Sequence, residues 1–287
     1  MPELPEVETV RLQLLHAIKG KTILAVEVFH NKATNHDARF VKLLTGKTFT
    51  HIDRIGKLLI FSFTSEPDFF VLAHLKMTGQ FFFTEASSLS GGGHSMTVSD
   101  VRELPGKHTR IAFTCTDDTK LYFNDMRLFG YMKIATANMV AIARARFGQE
   151  PIQADFDLET FTKRLKKRRT SIKAALLDQS FIAGLGNIYV DEALFAAGVR
   201  PTRLANKLTK AEVAKVVSAS RDILTHSIKV GGTTFQHFLD VEGKVGNYTN
   251  YLQVFGKQNT PCPGCGADII KIRVAGRGTH YCKVCQK

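Results

Sequence analysis

At 287 residues, with 44% hydrophobic and 23% charged side chains, the chain is long enough for two domains with cores of their own and has the mixture of an ordinary globular protein. No apolar run approaches the ~20 residues of a membrane-spanning helix, and acidic residues stand where a secretory leader carries its basic region, so a cytoplasmic protein with no membrane partner is expected. The net charge of +13 is uneven: residues 1–150 hold 18 Lys and Arg against 15 Asp and Glu, residues 151–287 hold 21 against 11. A basic half of that kind points to a polyanionic partner, nucleic acid before others.

Pro2 follows Met1 and is small, which favours removal of the methionine and leaves a secondary amine at the terminus. Such an α-amino group has a pKa of roughly 7.7–8 and can attack a sugar C1′ or an aldehyde to form an iminium. Glu3 and Glu6 supply carboxylates beside it for proton transfer. The same residues equally suit a plain helix start, with proline in the first turn and acids near the N-terminus. Val7, Val10, Leu14 and Ile18 form one helical stripe over 5–19, which Gly20 stops. Strands are expected at 22–29, 47–55, 58–64, 69–75, 80–84, 110–116 and 120–124, with tight turns at Gly56-Lys57 and Asp117-Asp118. Short strands of this kind make a sandwich or barrel. Residues 85–100 have no periodicity and read as a surface loop, rich in glycine between 88 and 95.

Beyond residue 135 the pattern turns helical, over 137–147, 158–168, 172–178, 188–197 and 211–229. Thr209 and Glu212 make a capping box for the last of these, and Gly148–Pro151 reads as a hinge. Residues 230–250 read as a flexible loop. Cys262, Cys265, Cys282 and Cys285 form two C-x2-C pairs 16 residues apart, the spacing of a structural zinc site whose four thiolates leave no open position. Cys115, alone on an alternating strand, reads as a small core residue. Gly276 and Gly278 flank Arg277 and would present it at the tip of the intervening hairpin.

Taken with Pro2–Glu8, Asn124–Gly130, Gly184–Tyr189 and the terminal cysteines, the chain resembles the bacterial formamidopyrimidine-DNA glycosylases, bifunctional enzymes that excise oxidised purines and cut the abasic strand. The resemblance runs from first residue to last. It implies an α+β multidomain fold: a β-sandwich with a leading helix over 1–135, a linker over 136–152, a helix–two-turn–helix domain over 153–250, and a β-hairpin zinc finger over 251–287. It also implies a monomer acting on duplex DNA held in a basic cleft, with one structural Zn2+ and a nucleoid-associated location.

By the same resemblance Pro2 is the amine that attacks C1′, Glu3 the acid that assists ring opening, and Lys57 a phosphate contact serving β-elimination. Arg277 grips phosphates and is linked with δ-elimination. His108, Arg127 and Arg169 fall at DNA contacts, and Asn187 at the phosphate-binding turn of the helix–two-turn–helix motif, where helix-start N–H groups favour an anion. Glu192 supports the active site. Met77, Arg127 and Phe129 match the triad that fills the gap left by a flipped base. Thr109 and Arg110, in Lys107–Arg110, depart from the Asp and His of many relatives. Two rival functions remain: an endonuclease VIII-like enzyme for oxidised pyrimidines, against which Leu4 and the triad argue, and a non-catalytic zinc-containing DNA-binding protein.

Overall fold

The computed structural model describes residues 2–85, 88–92, 104–233 and 247–287. The chain divides into two compact units, Met1–Ala145 with Val230–Thr249, and Arg146–Lys229 with Asn250–Lys287. The division at Ala145 falls inside the stretch expected as a linker.

In the first unit α1 (Leu4–Ile18) buries the expected stripe of Val7, Val10, Leu14 and Ile18. Gly20, at φ +82°, takes the left-handed conformation that ends it. Two antiparallel sheets follow. One has five strands in the order β1 (Ile23–Val28), β7 (Thr109–Cys115), β8 (Lys120–Asp125), β5 (Gly79–Glu85) and β6 (Ser88–Gly92). The other has β2 (Phe49–Ile55), β3 (Leu58–Phe63), β4 (Phe70–His74) and β9 (Tyr131–Ala135). Alternate residues of both sheets and the stripe of α1 share one core. The chain has no Trp but 21 Phe, and Phe carries the aromatic packing: Phe49 meets Phe113 edge-on at 6.4 Å, Phe61 meets Phe81 at 5.9 Å, and Phe81 meets Phe123 at 5.1 Å. Each such pair contributes about 0.5–1.5 kcal/mol beyond its buried area. Cys115 is buried in this unit as expected, and burial pushes its thiol up to about 11.

One sequence expectation needs correction here, and two elements have no counterpart among the expectations. Ser88–Gly92, expected within a surface loop, is strand β6, paired residue for residue with Phe81–Glu85. The open edge of β5 supplies backbone donors and acceptors, which glycine and serine can satisfy without any side-chain pattern. Residues 86–87 and 93–100 of the expected loop lie outside the described residues. Strand β9 and the short helix α2 (Phe40–Leu44) were missed; Tyr131–Ala135 is too short, and too interrupted by Lys133, to alternate clearly. Helix α3 (Ala137–Ala145) closes the segment.

In the second unit α4 (Leu158–Leu165), α5 (Ile172–Leu177), α6 (Asn187–Ala196) and α7 (Lys210–Lys229) precede the hairpin of β10 (Ile270–Val274) and β11 (Arg277–Tyr281). Helix α4 ends three residues earlier than expected. Lys167 and Arg168 donate to carbonyls three residues back, the tighter turn that often closes a helix. The capping box of α7 is present, with Glu212 N–H donating to Thr209 Oγ1 at 3.2 Å and Thr209 N–H to Glu212 Oε2 at 2.7 Å. Tyr189 packs α6 on α7 with its hydroxyl 2.6 Å from Ser227 Oγ. Gly148–Pro151, expected as a hinge, is tied down instead: Gly148 N–H donates to Gln179 O at 2.9 Å and Ala183 N–H to Gln149 O at 3.1 Å. A Cβ on Gly148 would lie 2.3 Å from Phe181 O, so glycine is there for close approach, not for motion.

Residues 230–250 were read as a loop of the helical domain, yet Val230–Thr249 groups with the sandwich unit. Thr233 bridges Asn247 and bonds to helix α1 as described next. Residues 234–246 lie outside the described residues.

Candidate functional site

The start of the chain is turned inward. Pro2 is buried and Glu3 is 2% exposed. A capping box joins Glu3 to Glu6, with Glu6 Oε2 accepting from the Glu3 N–H at 2.8 Å. The other carboxylate oxygen of Glu6 accepts from Thr233 N–H at 2.7 Å and Thr233 Oγ1 at 2.9 Å. Glu6 therefore fastens the end of α1 to the Gly232-Thr233 backbone. A Cβ on Gly232 would lie 2.8 Å from Glu6 Oε1, and its φ of +84° also favours glycine.

Lys57 follows Gly56, whose φ is +56°, in the two-residue turn between β2 and β3. A turn lysine is ordinarily solvated, but this one is 6% exposed. Arg54 sets the turn relative to α1: its Nε donates to Glu8 Oε2 at 2.8 Å and its Nη1 to Gly56 O at 2.8 Å. Burial acts to raise the Glu8 carboxyl, and the hydrogen bonds from Arg11 and Arg54 outweigh it, leaving Glu8 below the usual carboxylate range. His74 pairs across the sheet with Leu58. Burial, helped by the charges of Lys76 and Lys57, pushes its imidazole down to about 3, so it stays neutral while its Nδ1 accepts from the Lys76 N–H at 3.0 Å.

Met77, Arg127 and Phe129 come together at one end of the sandwich, on the two connections 75–78 and 126–130 that pass between the sheets. Arg127 Nη1 donates to Met77 Sδ at 3.2 Å and its guanidinium lies 4.8 Å from the centre of the Phe129 ring. Apolar side chains of this size normally go to the core, but Met77 is 37% and Phe129 46% exposed. His108 flanks this end through its carbonyl, which accepts from Asp125 N–H at 2.9 Å. The departing pair does local work: Thr109 Oγ1 accepts from Gly106 N–H at 2.9 Å and Arg110 donates to Asp125 O at 2.7 Å.

In the second unit Arg169 is exposed beyond the basic turn. Its neighbours are engaged: Arg168 pairs with Asp178 at 2.8 Å, Lys166 donates to Leu208 O at 2.5 Å, and Arg164 and Arg168 both lie over Phe181. Asn187 opens α6 and donates through Nδ2 to Gly278 O at 3.0 Å. Lys173 and Asp191, both fully buried, pair at 2.6 Å. Asp191 also accepts from His280 N–H at 2.8 Å. Helices α5 and α6 thus grip β11, whose first residue is the exposed Arg277. Ala275 and Gly276, both at positive φ, form the two-residue tip that hairpins of this twist require. Glu192, expected to support the active site, accepts the N–H groups of Gln253, Val254 and Phe255 at 2.8–2.9 Å. Desolvation raises its carboxyl above the usual range despite those three bonds.

The ligand sulfurs of Cys262, Cys265, Cys282 and Cys285 all lie within 4.8 Å of one another. Cys262 and Cys285 are 3.8 Å apart, Cys265 and Cys282 3.5 Å. Tetrahedral zinc with bonds of about 2.3 Å needs sulfurs about 3.8 Å apart, so the four thiols fit the ion. Gly264 and Cys285 N–H groups point at Cys262 and Cys282 sulfurs at 3.4 Å, as they do where knuckle amides stabilise bound thiolate.

Three family models match the chain in order: the formamidopyrimidine-DNA glycosylase N-terminal domain over residues 1–132, the formamidopyrimidine-DNA glycosylase H2TH domain over 147–238, and the zinc finger found in FPG and IleRS over 260–287. A formamidopyrimidine-DNA glycosylase of Lactobacillus delbrueckii subsp. bulgaricus is 39% identical over the full length of both chains. One of Enterococcus faecalis is 40% identical over all of this chain and 98% of its own. Lactococcus lactis Fpg, solved in complex with DNA containing an abasic site, superposes over 100% of both chains with a TM-score of 0.88 at 36% identity. A point mutant of the same enzyme, solved with Fapy-dG containing DNA, gives the same values.

The chain belongs to the formamidopyrimidine-DNA glycosylase family. Its fold is the α+β arrangement of that family, and its four terminal cysteines hold one structural zinc ion. Among the described residues no helix is long and apolar enough to cross a membrane. Besides the four cysteines, the structure brings together three sets of the residues expected from sequence: Pro2, Glu3 and Glu6 around the start of α1, Met77, Arg127 and Phe129 at the sandwich end with His108 beside them, and Asn187 on α6 with Arg277 at the start of β11, while Lys57, Arg169 and Glu192 each stand apart from these. His74 and Arg54, which set the surroundings of Lys57, were missed. A lone histidine and a lone arginine on alternating strands carry no signal in sequence; only the cross-strand register, pairing Leu58 with His74, reveals the first.

Proposed function

We propose that the protein excises oxidised purines, 8-oxoguanine and formamidopyrimidines, from duplex DNA and then cleaves the abasic strand by β,δ-elimination. The reading is carried by one observation: three family models match in order along a chain that covers its relatives end to end. With Met1 removed, the Pro2 amine attacks C1′, the C1′–N bond breaks, and the base leaves with a proton. Loss of the amine proton and opening of the ring give an iminium, with Glu3 delivering a proton to the ring oxygen. Lys57, desolvated in its turn, contacts phosphate and serves in β-elimination, and Arg277 holds phosphate for δ-elimination. Met77 and Phe129 fill the stack left by the flipped nucleotide and Arg127 donates to the orphaned partner base. His108, Arg169 and Asn187 contact the DNA backbone, which fixes register without reading sequence. Glu192, through the 253–255 backbone, supports the site. The protein acts as a monomer in the bacterial cytoplasm, on the nucleoid.

Borohydride trapping on an 8-oxoguanine duplex and on an abasic duplex tests this directly, because only an iminium becomes a stable covalent link. Trapping is expected with both, and Pro2→Gly is expected to cut base excision strongly while duplex affinity stays within a few-fold. Absence of a trapped species overturns the catalytic reading in favour of a DNA-binding role. Full trapping with preference for thymine glycol over 8-oxoguanine moves the protein to the endonuclease VIII branch.

A further inference from the structure

The connections bearing Met77 and Arg127 belong to different strand pairs, and something must hold them in register. We infer that Asp125 is a specificity-determining positioning residue: its buried carboxylate locks the Met77 and Arg127 connections together and so sets how the protein discriminates the base opposite the lesion. The inference rests on the proposed reading of Met77, Arg127 and Phe129 as the inserted set. Asp125 ends β8 at 1% exposure. Its Oδ1 accepts from Thr78 Oγ1 and from Arg127 N–H, the latter at 3.1 Å, and its Oδ2 accepts from Gly130 N–H at 2.6 Å. Thr78 Oγ1 also accepts from Arg127 N–H at 3.1 Å.

One carboxylate therefore collects donors from both sides, Thr78 beside Met77 on one connection, Arg127 and Gly130 around Phe129 on the other. The backbone it holds is of a kind that needs holding. Lys76 and Leu128 sit at positive φ, +54° and +57°, where a side chain is strained. Glycine is required on both sides, since a Cβ on Gly79 would lie 2.5 Å from Leu75 O and one on Gly130 2.8 Å from the Phe123 ring. Asp125 is buried and the half-buried Thr78 has its hydroxyl taken by Asp125 and the Arg127 N–H, so their influence passes through Arg127 and Met77. Asn is isosteric with Asp but has one acceptor oxygen in place of two, so an amide N–H must face either Gly130 N–H or the Thr78–Arg127 pair.

The experiment compares single-turnover excision of 8-oxoguanine opposite cytosine and opposite adenine for wild type, Asp125→Asn, Thr78→Val, Arg127→Ala and the Asp125→Asn/Arg127→Ala double variant. Borohydride trapping on a single-stranded abasic oligonucleotide, where there is no opposite base, runs alongside. Asp125→Asn is expected to narrow the cytosine-to-adenine ratio by about tenfold, the scale of one hydrogen bond to a charged group, while trapping changes by less than about twofold. Thr78→Val should narrow the ratio less, and the double variant should match Arg127→Ala alone, as coupled residues do. Should Asp125→Asn fail to fold, its trapping is lost and Thr78→Val, which leaves the carboxylate intact, decides. An unchanged ratio in the folded variants, or additive effects in the double variant, overturns the inference. A wild-type ratio near one removes the reading of Arg127 on which it rests, and that failure is visible before any substitution is made.

Discussion

Replacing Glu6 by Gln keeps the shape of a buried side chain and changes only what its end can accept. In the folded protein the carboxylate takes donors on both oxygens, Glu3 N–H on one and Thr233 N–H and Oγ1 on the other. The best placement of the amide leaves its oxygen toward Thr233 and sets its NH2 against the Glu3 N–H. A buried donor without an acceptor costs about 1–3 kcal/mol, and the two surviving bonds lose roughly 1 kcal/mol each with the charge, about 3–5 kcal/mol altogether. Against a domain stability of about 5–15 kcal/mol, that is a large fraction. Because the chain has no Trp and two units, hydrogen exchange of the β3 and β8 amides in rising urea is the suitable assay. Thr233→Val should cost about 1–2 kcal/mol on its own and less than that in the Glu6→Gln background. A Glu6→Gln loss below about 1 kcal/mol would refute the reasoning, since it would mean that water, and not Thr233 and Glu3, satisfies the carboxylate.

Chelation of the metal, or Cys265→Ser, should unfold the hairpin and abolish tight DNA binding while the sandwich unit stays folded, because structural zinc contributes on the order of 10 kcal/mol; elemental analysis well below one zinc per active chain would contradict this. Arg127→Ala should narrow the preference for cytosine over adenine opposite 8-oxoguanine, a preference worth about 1–3 kcal/mol, whereas Met77→Ala should slow both contexts alike in single-turnover excision. His74 is held down at about 3 in the fold against about 6.5 when unfolded, so the unfolded chain takes the proton first. Its contribution is present above about pH 6.5 and is lost as pH falls toward 3, with a slope of at most about 1.4 kcal/mol per pH unit. Urea midpoints near neutral and mildly acid pH should diverge in wild type and less so in His74→Asn.

What could be read from the sequence was whatever depends on a side chain's own period or chemistry. The stripe of α1, the Thr209–Glu212 cap and the cysteine spacing are of that kind, and each is present in the structure. Strand β6 was invisible because its pairing is backbone to backbone, through Ser and Gly. The burial of Lys57 was equally hidden, since it depends on Arg54 reaching from β2 to the Glu8 carboxylate and the Gly56 carbonyl. Gly148–Pro151 was misread for a related reason: Gly and Pro mark a bend in sequence whether the chain there swings free or presses against a neighbour. The grouping of Met77, Arg127 and Phe129 followed from the resemblance alone; their exposure and mutual contact are properties of two connections 50 residues apart.

The buried Lys173–Asp191 pair bears on what can be exchanged between proteins of this kind. The zinc finger is chemically self-sufficient as a metal binder, all its ligands lying between Cys262 and Cys285. The pose of its hairpin is not its own: Gly278 O and His280 N–H are held by Asn187 and Asp191, separated from them by 91 and 89 residues in the chain. A finger transplanted into a host lacking those side chains would load its metal and still present its arginine in the wrong direction. In the reverse exchange, a host retaining Lys173 and Asp191 beneath a foreign finger would bury charges whose outer partners were gone, at a cost of several kcal/mol. Recombination between such chains is therefore expected to fail at the short stretch before Cys262, where the primary structure alone would invite the cut.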